Sequence, residues 1–463
     1  MKARVLAYAT LVFVTSLLAF LVGLNNSQII SITVFSALIY GSLLFWRFRL
    51  AFAFIGVTAL LALGVLDIPH LIKFAGIDII LFLVGMMIVI GFLEERHFFE
   101  YILERIISVV GSDANRLIPV MMLMAALFAA LVDEVTSILF MTATMLHLTG
   151  KYKVSPTPFI IMLVFATNIG SSATVVGNPI GVMIAMNAGL TFTDFLRWAA
   201  PISMLSLFLT IILSTRFFSG DIRKLDECTK LTAKENVKDA NDKRLISSND
   251  LKVSWALFLG TILFLVLHHQ LEELLHLEKN SMLLGTALAA ASISLFLERE
   301  RARELVERRV DWWTLAFFLF LFASVGTLKY VGITQVLAST LLSVSGGSDI
   351  GLLVIFTWVA AILSAFMDNV LAVATFIPIV QDLGMLGSYI FPLWWGMLFG
   401  GTFFGNLTMI GSTANIVAIG MLERRKLGHV TLFEWIKPGA LVSIPTLILA
   451  ILLLYVQLPI MPR

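Results

Sequence analysis

Phe165-Ala166-Thr167-Asn168-Ile169-Gly170-Ser171-Ser172-Ala173-Thr174-Val175-Val176-Gly177-Asn178-Pro179 breaks a long apolar segment with Asn, Ser, Thr, Gly and Pro. A helix crossing lipid gains nothing from such a centre, because unpaired polar groups in hydrocarbon cost several kcal/mol each. Something other than lipid faces it. A second run of the same kind is Gly400-Gly401-Thr402-Phe403-Phe404-Gly405-Asn406-Leu407-Thr408-Met409-Ile410-Gly411-Ser412-Thr413-Ala414-Asn415. Interrupted apolar segments at corresponding places in two halves point to a midplane substrate site in a secondary transporter.

The rest of the chain supports a membrane setting. It has 463 residues, 59% hydrophobic and 13% charged, against roughly 25% charged in a soluble domain. A water-soluble globule is excluded. Apolar runs of about 17 to 25 residues recur along nearly the whole length, each long enough to span the hydrocarbon as a helix. The expected class is an all-α polytopic membrane protein whose main partner is the lipid bilayer. The net charge of +2 offers no basic surface for nucleic acid. Cys228 is the single cysteine, so no disulfide framework exists. The first apolar run, about residues 5 to 24, follows Lys2 and Arg4 but lacks a small-x-small cleavage site, and is expected as a retained helix.

Helices are expected near 5–24, 28–46, 50–66 and 78–93, followed by a charged amphipathic stretch from Glu94 to Arg116. An apolar run over 117–147 holds Asp133-Glu134 in its middle, and a further helix covers 199–215. After a polar stretch come helices near 252–270, 281–297 and 312–328, then an apolar run holding Asp368-Asn369, and a last helix at 439–457. Three landmarks repeat at nearly constant spacing: Asp133 and Asp368 at 235, Thr174 and Thr408 at 234, and Asp194 and Glu434 at 240. The expected organisation is an extra helix over 1–27, a first repeat over 28–215, a solvated cytoplasmic linker over 216–251 and a second repeat over 252–463. If each acidic run is a re-entrant hairpin and each interrupted segment crosses, 27 of the 32 Lys and Arg fall on one side. Only Lys73, Arg197, Lys279, Lys329 and Arg463 lie outside. The positive-inside rule then gives a cytoplasmic N-terminus, about eleven transmembrane helices and two inverted repeats with discontinuous helices, in the cell membrane.

Inverted repeats would bring two hairpin tips and two broken helices together at mid-depth. Half-helix N-termini can hold an anion, and unwound carbonyls with Asn, Ser and Thr oxygens can hold Na⁺. The candidate lining is Asn168, Ser171, Ser172, Thr174 and Asn178 with Thr402, Asn406, Thr408, Ser412, Thr413 and Asn415. Against this stands ordinary helix packing, in which small and hydroxyl residues allow close approach. Asp133, Glu134 and Asp368, with Asn369, are the candidate coupling residues, because an ionisable group at membrane depth normally faces a cavity or a partner. His268, His269, Glu272, Glu273 and His276 could hold metal by spacing but fit a polar cap at a helix end better. Arg299 to Arg309 fits an inner anchor, and Trp312-Trp313 and Trp394-Trp395 fit aromatic belts. No P-loop is present, so the only accessory species expected is Na⁺ or H⁺ as coupling ion.

Through Asp133-Glu134-Val135-Thr136, the run Asn168 to Pro179, Asp368-Asn369-Val370 and the run Asn406 to Asn415, the chain resembles the ion transporter superfamily. More narrowly it resembles the arsenite-permease and NhaD-type antiporter branch, with its citrate-transporter-like domain, over about residues 28 to 457. The resemblance implies a scaffold part, a transport part of hairpins and broken helices, elevator-type alternating access and a homodimer. Dicarboxylate carriers of the superfamily carry Ser-Asn-Thr at both hairpin tips, whereas these tips are Asp-Glu-Val and Asp-Asn-Val. That difference speaks against dicarboxylate transport coupled to several Na⁺ ions. The expected function is therefore secondary active transport of a small anion or oxyacid, arsenite-like or carboxylate, coupled to H⁺ or Na⁺. The rival is a Na⁺/H⁺ antiporter, and a membrane-embedded enzyme or receptor is the remote third.

Overall fold

Asp133 and Asp368 each end one apolar run and begin the next, because each carboxylate caps the helix that follows it. Asp133 Oδ1 accepts from the backbone N–H groups of Val135 at 2.7 Å and Thr136 at 3.1 Å, and Asp368 Oδ1 from Val370 at 2.9 Å. Such caps satisfy donors that a helix start leaves open. In the computed structural model, which describes residues 2–111, 113–235 and 248–463, both runs are accordingly pairs of helices and not single spans.

The first half comprises α1 (Lys2–Leu21), α2 (Asn26–Leu44), α3 (Arg49–Ala62), α4 (Ile68–Phe74), α5 (Ile77–Glu95), α6 (Phe98–Val110), the pair α7 (Ala114–Leu131) and α8 (Glu134–Tyr152), and the broken pair α9 (Thr157–Gly170) and α10 (Pro179–Ala188). It closes with the short α11 (Phe192–Asp194), a π-helical turn, α12 (Ala200–Phe217) and α13 (Ser219–Glu235). The second half has α14 (Ser248–Leu275), α15 (Ser281–Glu298), α16 (Ala302–Arg309), α17 (Trp312–Tyr330), α18 (Ile333–Val344), the pair α19 (Asp349–Phe366) and α20 (Asn369–Met385), the broken pair α21 (Phe391–Phe403) and α22 (Thr413–Arg424), and α23 (Leu432–Gln457). Among the described residues ten helices are long and apolar enough to cross a membrane, near the eleven expected. Many large apolar side chains on their outer faces are exposed, α1 most of all, as suits a helix wall against lipid.

The two halves interlock. α5 packs on α15 and α3 on α17, so each half lends a helix to the other's wall. α8 packs on α22 and α20 on α10, so each hairpin's second arm touches the other half's broken helix. Within each half a threonine in the break is bonded to the end of the first hairpin arm: Thr174 Oγ1 donates to the Ala130 carbonyl, and Thr408 Oγ1 to that of Ala365. Arg96 pairs with Glu298, Arg309 with Glu94 and Glu95, and Arg49 reaches Thr314, which places those helix ends on one face. Lys73 and Lys329 line a cleft at the other ends of the neighbouring helices.

Close backbone approach fixes the α7–α9 contact. A Cβ at Gly170 would sit 2.3 Å from the Ala126 carbonyl oxygen and 2.4 Å from its Cα, and backbone cannot yield as a side chain can. Gly170→Ala is therefore expected to destabilise by roughly 1–3 kcal/mol through overpacking, read as a lower thermal unfolding midpoint in detergent.

Two expectations change. Trp394 and Trp395 do not form an aromatic belt: both are buried, with Trp395 edge-on to Phe195 at 5.0 Å and to Phe391 at 6.0 Å between ring centroids. Trp312 and Trp313 are half exposed, as a belt requires. The stretch 216–251, expected as solvated linker, is helical up to Glu235, and α13 packs on α7 and α8 with Ile222 and Leu225 buried. Its remaining core, 236–247, lies outside the described residues. Glu272 does form a polar cap, accepting from the Met282 backbone N–H at 2.9 Å, and no group of metal-ligating side chains occurs among the described residues.

Candidate functional site

The breaks at 171–178 and 404–412 are where the two halves meet. Both hold short 3-10 turns between half-helices, and both second half-helices start on a polar cap. Asn178 Oδ1 accepts from the Gly181 backbone N–H at 2.7 Å, and Ser412 Oγ from that of Ala414 at 3.2 Å. Four helix N-termini, those of α8, α10, α20 and α22, thus begin in this region, each capped by its own side chain.

Asn168 is the link across the seam. Its Nδ2 donates to Asn406 Oδ1 at 2.7 Å and to Asn415 Oδ1 at 2.8 Å, and its Oδ1 accepts from Ser412 Oγ at 3.0 Å. Asn415 Nδ2 in turn donates to the carbonyls of Gly405 and Thr408, both at 2.8 Å, which ties the unwound turn down. Asn406 Nδ2 reaches back to the Phe165 carbonyl at 3.3 Å. Each of these amides is fully buried, so their mutual bonds replace those that water would otherwise provide.

Beside this amide cluster stands Glu134, the first residue of α8 and 1% exposed. Its carboxylate accepts from Ser171 Oγ at 3.2 Å, Asn369 Nδ2 at 3.4 Å and Ser412 Oγ at 3.5 Å. One donor comes from the first half and two from the second. Asn178 Nδ2 supports Ser171 Oγ at 2.8 Å. Among the described residues no Lys or Arg pairs with Glu134; the buried cation nearby is Arg49, whose Nη1 lies 3.9 Å from Asp368 Oδ2.

The structure thus brings together Glu134, Asn168, Ser171, Asn178, Asn369, Asn406, Ser412 and Asn415. Thr413 joins at the edge, donating to Asp368 Oδ2 at 2.8 Å. The other candidates are engaged elsewhere. Ser172 bonds Ser203 at 2.7 Å, Thr402 bonds the Leu398 carbonyl of its own helix at 2.8 Å, and Thr174 and Thr408 hold the hairpins. Asp133 turns back onto its own helix start. The sequence marks Arg49 only as one of the 27 basic residues of one side. It follows Arg47 by two positions, and nothing in the pattern separates the exposed Arg47 from the buried Arg49.

The donor set around Glu134 and Asn168 is carboxylate, amide and hydroxyl oxygen, the chemistry that hard cations take. Those oxygens are at present engaged by Asn168, Asn369, Ser171 and Ser412, so a cation would enter by turning these donors away. Further along α10 and α20 lies a cleft of about 460 Å³, bounded by these two helices on one side and by α4, α5 and α17 on the other.

The citrate transporter family matches residues 40–400, with a second match over 325–462. An uncharacterized transporter of Mycobacterium tuberculosis is 30% identical over 82% of this chain and 86% of its own length. The 46 kDa membrane protein of Mycobacterium leprae is also 30% identical, over 82% and 87%. The human P protein is 25% identical over 88% of this chain and 58% of its own. Among solved structures, the YdaH transporter of Alcanivorax borkumensis superposes with a TM-score of 0.58 at 15% identity, covering 85% of this chain and 87% of that one; it is described as having an unusual topology.

Proposed function

We propose that this chain, which belongs to the citrate transporter family, moves a small anion or oxyacid by alternating access, with Glu134 as its H⁺- or Na⁺-coupling group. That it is a multi-pass membrane transporter and not an enzyme follows from the family and the relatives. The observation that carries the finer reading is Glu134 itself: a buried carboxylate held by donors from both halves and, among the described residues, by no basic one. Burying a charge without a counter-ion is costly, and a proton or a Na⁺ ion removes that cost. Neutralising Glu134 also frees Ser171, Ser412 and Asn369 to donate to the oxygens of an anion. Coupling and cargo recognition then share one set of hydroxyl and amide donors.

The shared landmarks and the exchanged packing of α8 on α22 and α20 on α10 support two inverted repeats, and hence an elevator-type exposure of the site to either side. The 27 basic residues of one side support a cytoplasmic N-terminus in the cell membrane. A homodimer belongs to the same reading.

Exchange of Na⁺ for H⁺ without an anion is the second reading, favoured by the acceptor oxygens gathered around Asn168. Purified protein in liposomes divides the two. With an inward H⁺ or Na⁺ gradient, radiolabelled citrate or arsenite is expected to accumulate, and dissipating the gradient to abolish it. Na⁺-driven proton movement with no anion added would instead establish the exchanger.

A further inference from the structure

Asp133 and Asp368 occupy matching positions, but among the described residues only Asp368 has a cationic partner. Arg49, at the start of α3, is 5% exposed. Its guanidinium lies over the rings of Trp46 and Phe317, 4.3 Å and 5.0 Å from their centroids. Its Nη2 donates to Thr314 Oγ1 at 2.7 Å, and Thr314 in turn donates to Asp311 Oδ2 at 2.5 Å. Nη1 has no hydrogen-bond partner and sits 3.9 Å from Asp368 Oδ2. Asp368 also accepts from Thr413 and caps α20. A single buried cation on α3, braced by α17, therefore faces the starts of both α20 and α22. Asp133 accepts only from its own helix start, and no Lys or Arg pairs with it among the described residues.

The other end of α20 is tied to the same wall. Lys329, in the last turn of α17, donates to Gln381 Oε1, and Gln381 Nε2 donates to Asn187 Oδ1 of α10 at 3.3 Å. Thr334 of α18 donates to Asp382 Oδ2 at 2.5 Å. Lys329, Gln381 and Asn187 line the cleft, Thr334 and Asp382 are buried behind it, and Arg49 is fixed by two rings and a hydroxyl.

We propose that Arg49 is a positioning residue for transport: with Asp368 it forms a clasp that holds the second hairpin and the start of α22 against α3 and α17, and that must open for the site to change sides. The idea rests on the alternating-access reading, and Arg49 touches no cargo in it. The distance of 3.9 Å and the free Nη1 suit such a role, because a clasp that released only after breaking a short bidentate pair would trap one state. The weaker contact leaves an equilibrium that the occupancy of the site can bias.

The test reads position and not flux. In a Cys228→Ser background, Met186→Cys places a thiol on α10 in the lining of the cleft, and a membrane-impermeant maleimide reports its accessibility in liposomes without cargo or gradient. Arg49→Gln is expected to slow labelling at least about fivefold, the range of a typical coupling between states, as the cleft closes. Asp368→Asn is expected to do the same, and the double variant no more than either. Arg49→Lys keeps the charge and should retain most of the labelling rate, which also covers the case in which Arg49→Gln fails to fold. Unchanged or faster labelling in Arg49→Gln, or additive effects in the double variant, would overturn the clasp. Because labelling needs no transported species, a slowed rate in a protein that moves no anion would sink the cargo assignment and leave the clasp standing.

Discussion

Glu134→Gln is expected to lower gradient-driven uptake on the order of a hundredfold, the equivalent of losing a charged contact worth about 3 kcal/mol, while the protein unfolds near the wild-type temperature. Gln has the same length and can still accept from Asn369 and Ser412 through its oxygen, and its NH₂ can point at Ser171. What it cannot do is exchange a proton or ligate a cation as a carboxylate does. Glu134→Asp keeps the charge but withdraws it by one methylene from Asn369 and Ser412, already at 3.4 and 3.5 Å. Uptake should fall between the two. Liposome uptake beside a thermal unfolding curve separates coupling from folding, and full gradient-dependent uptake in Glu134→Gln would remove this residue from the mechanism.

Asn168→Leu is expected to cost stability as well as transport. One side chain serves Asn406, Asn415 and Ser412; leucine is close in volume but offers none of these bonds. Each buried polar group left unpaired costs about 1–3 kcal/mol, so a loss of roughly 2–5 kcal/mol follows. Hydrogen exchange should locate that loss in the unwound turns on both sides of the seam. A uniform loss of protection across the molecule, or none, would show that Asn168 does not join the halves.

Both predictions concern residues marked by the sequence, yet their weights differ from what the sequence implies. The broken segments and hairpins were legible because lipid forbids unpaired backbone, and polar residues inside an apolar run must therefore fold onto protein. Asn168 and Asn406 could be placed in the seam on that ground alone. The acidic tips were legible as a pair, but the sequence favours Asp133 and Asp368 over Glu134 as coupling groups, whereas Glu134 is the one that meets donors from both halves: at a helix start one residue decides whether a side chain turns back as a cap or forward into the seam. Asp133 turns back and Glu134 turns forward. Arg49 was not legible at all, since its significance lies in an ion pair 319 positions away. Ser172 and Thr402 share the composition of their neighbours but face Ser203 and Leu398, a matter of helix rotation that polarity does not encode.

The two threonine bonds, Thr174 to Ala130 and Thr408 to Ala365, carry a consequence for gating. Each rivets a hairpin tip to the unwound turn behind it, with both partners buried. For either hairpin to peel back as an independent flap, such a bond would have to break away from water at a cost of about 1–3 kcal/mol. Hairpin and broken helix are therefore expected to travel as a single block. Access to the site is then governed by how that block moves against the walls of α3 and α17, and the lid and the floor of the binding chamber are parts of one moving piece.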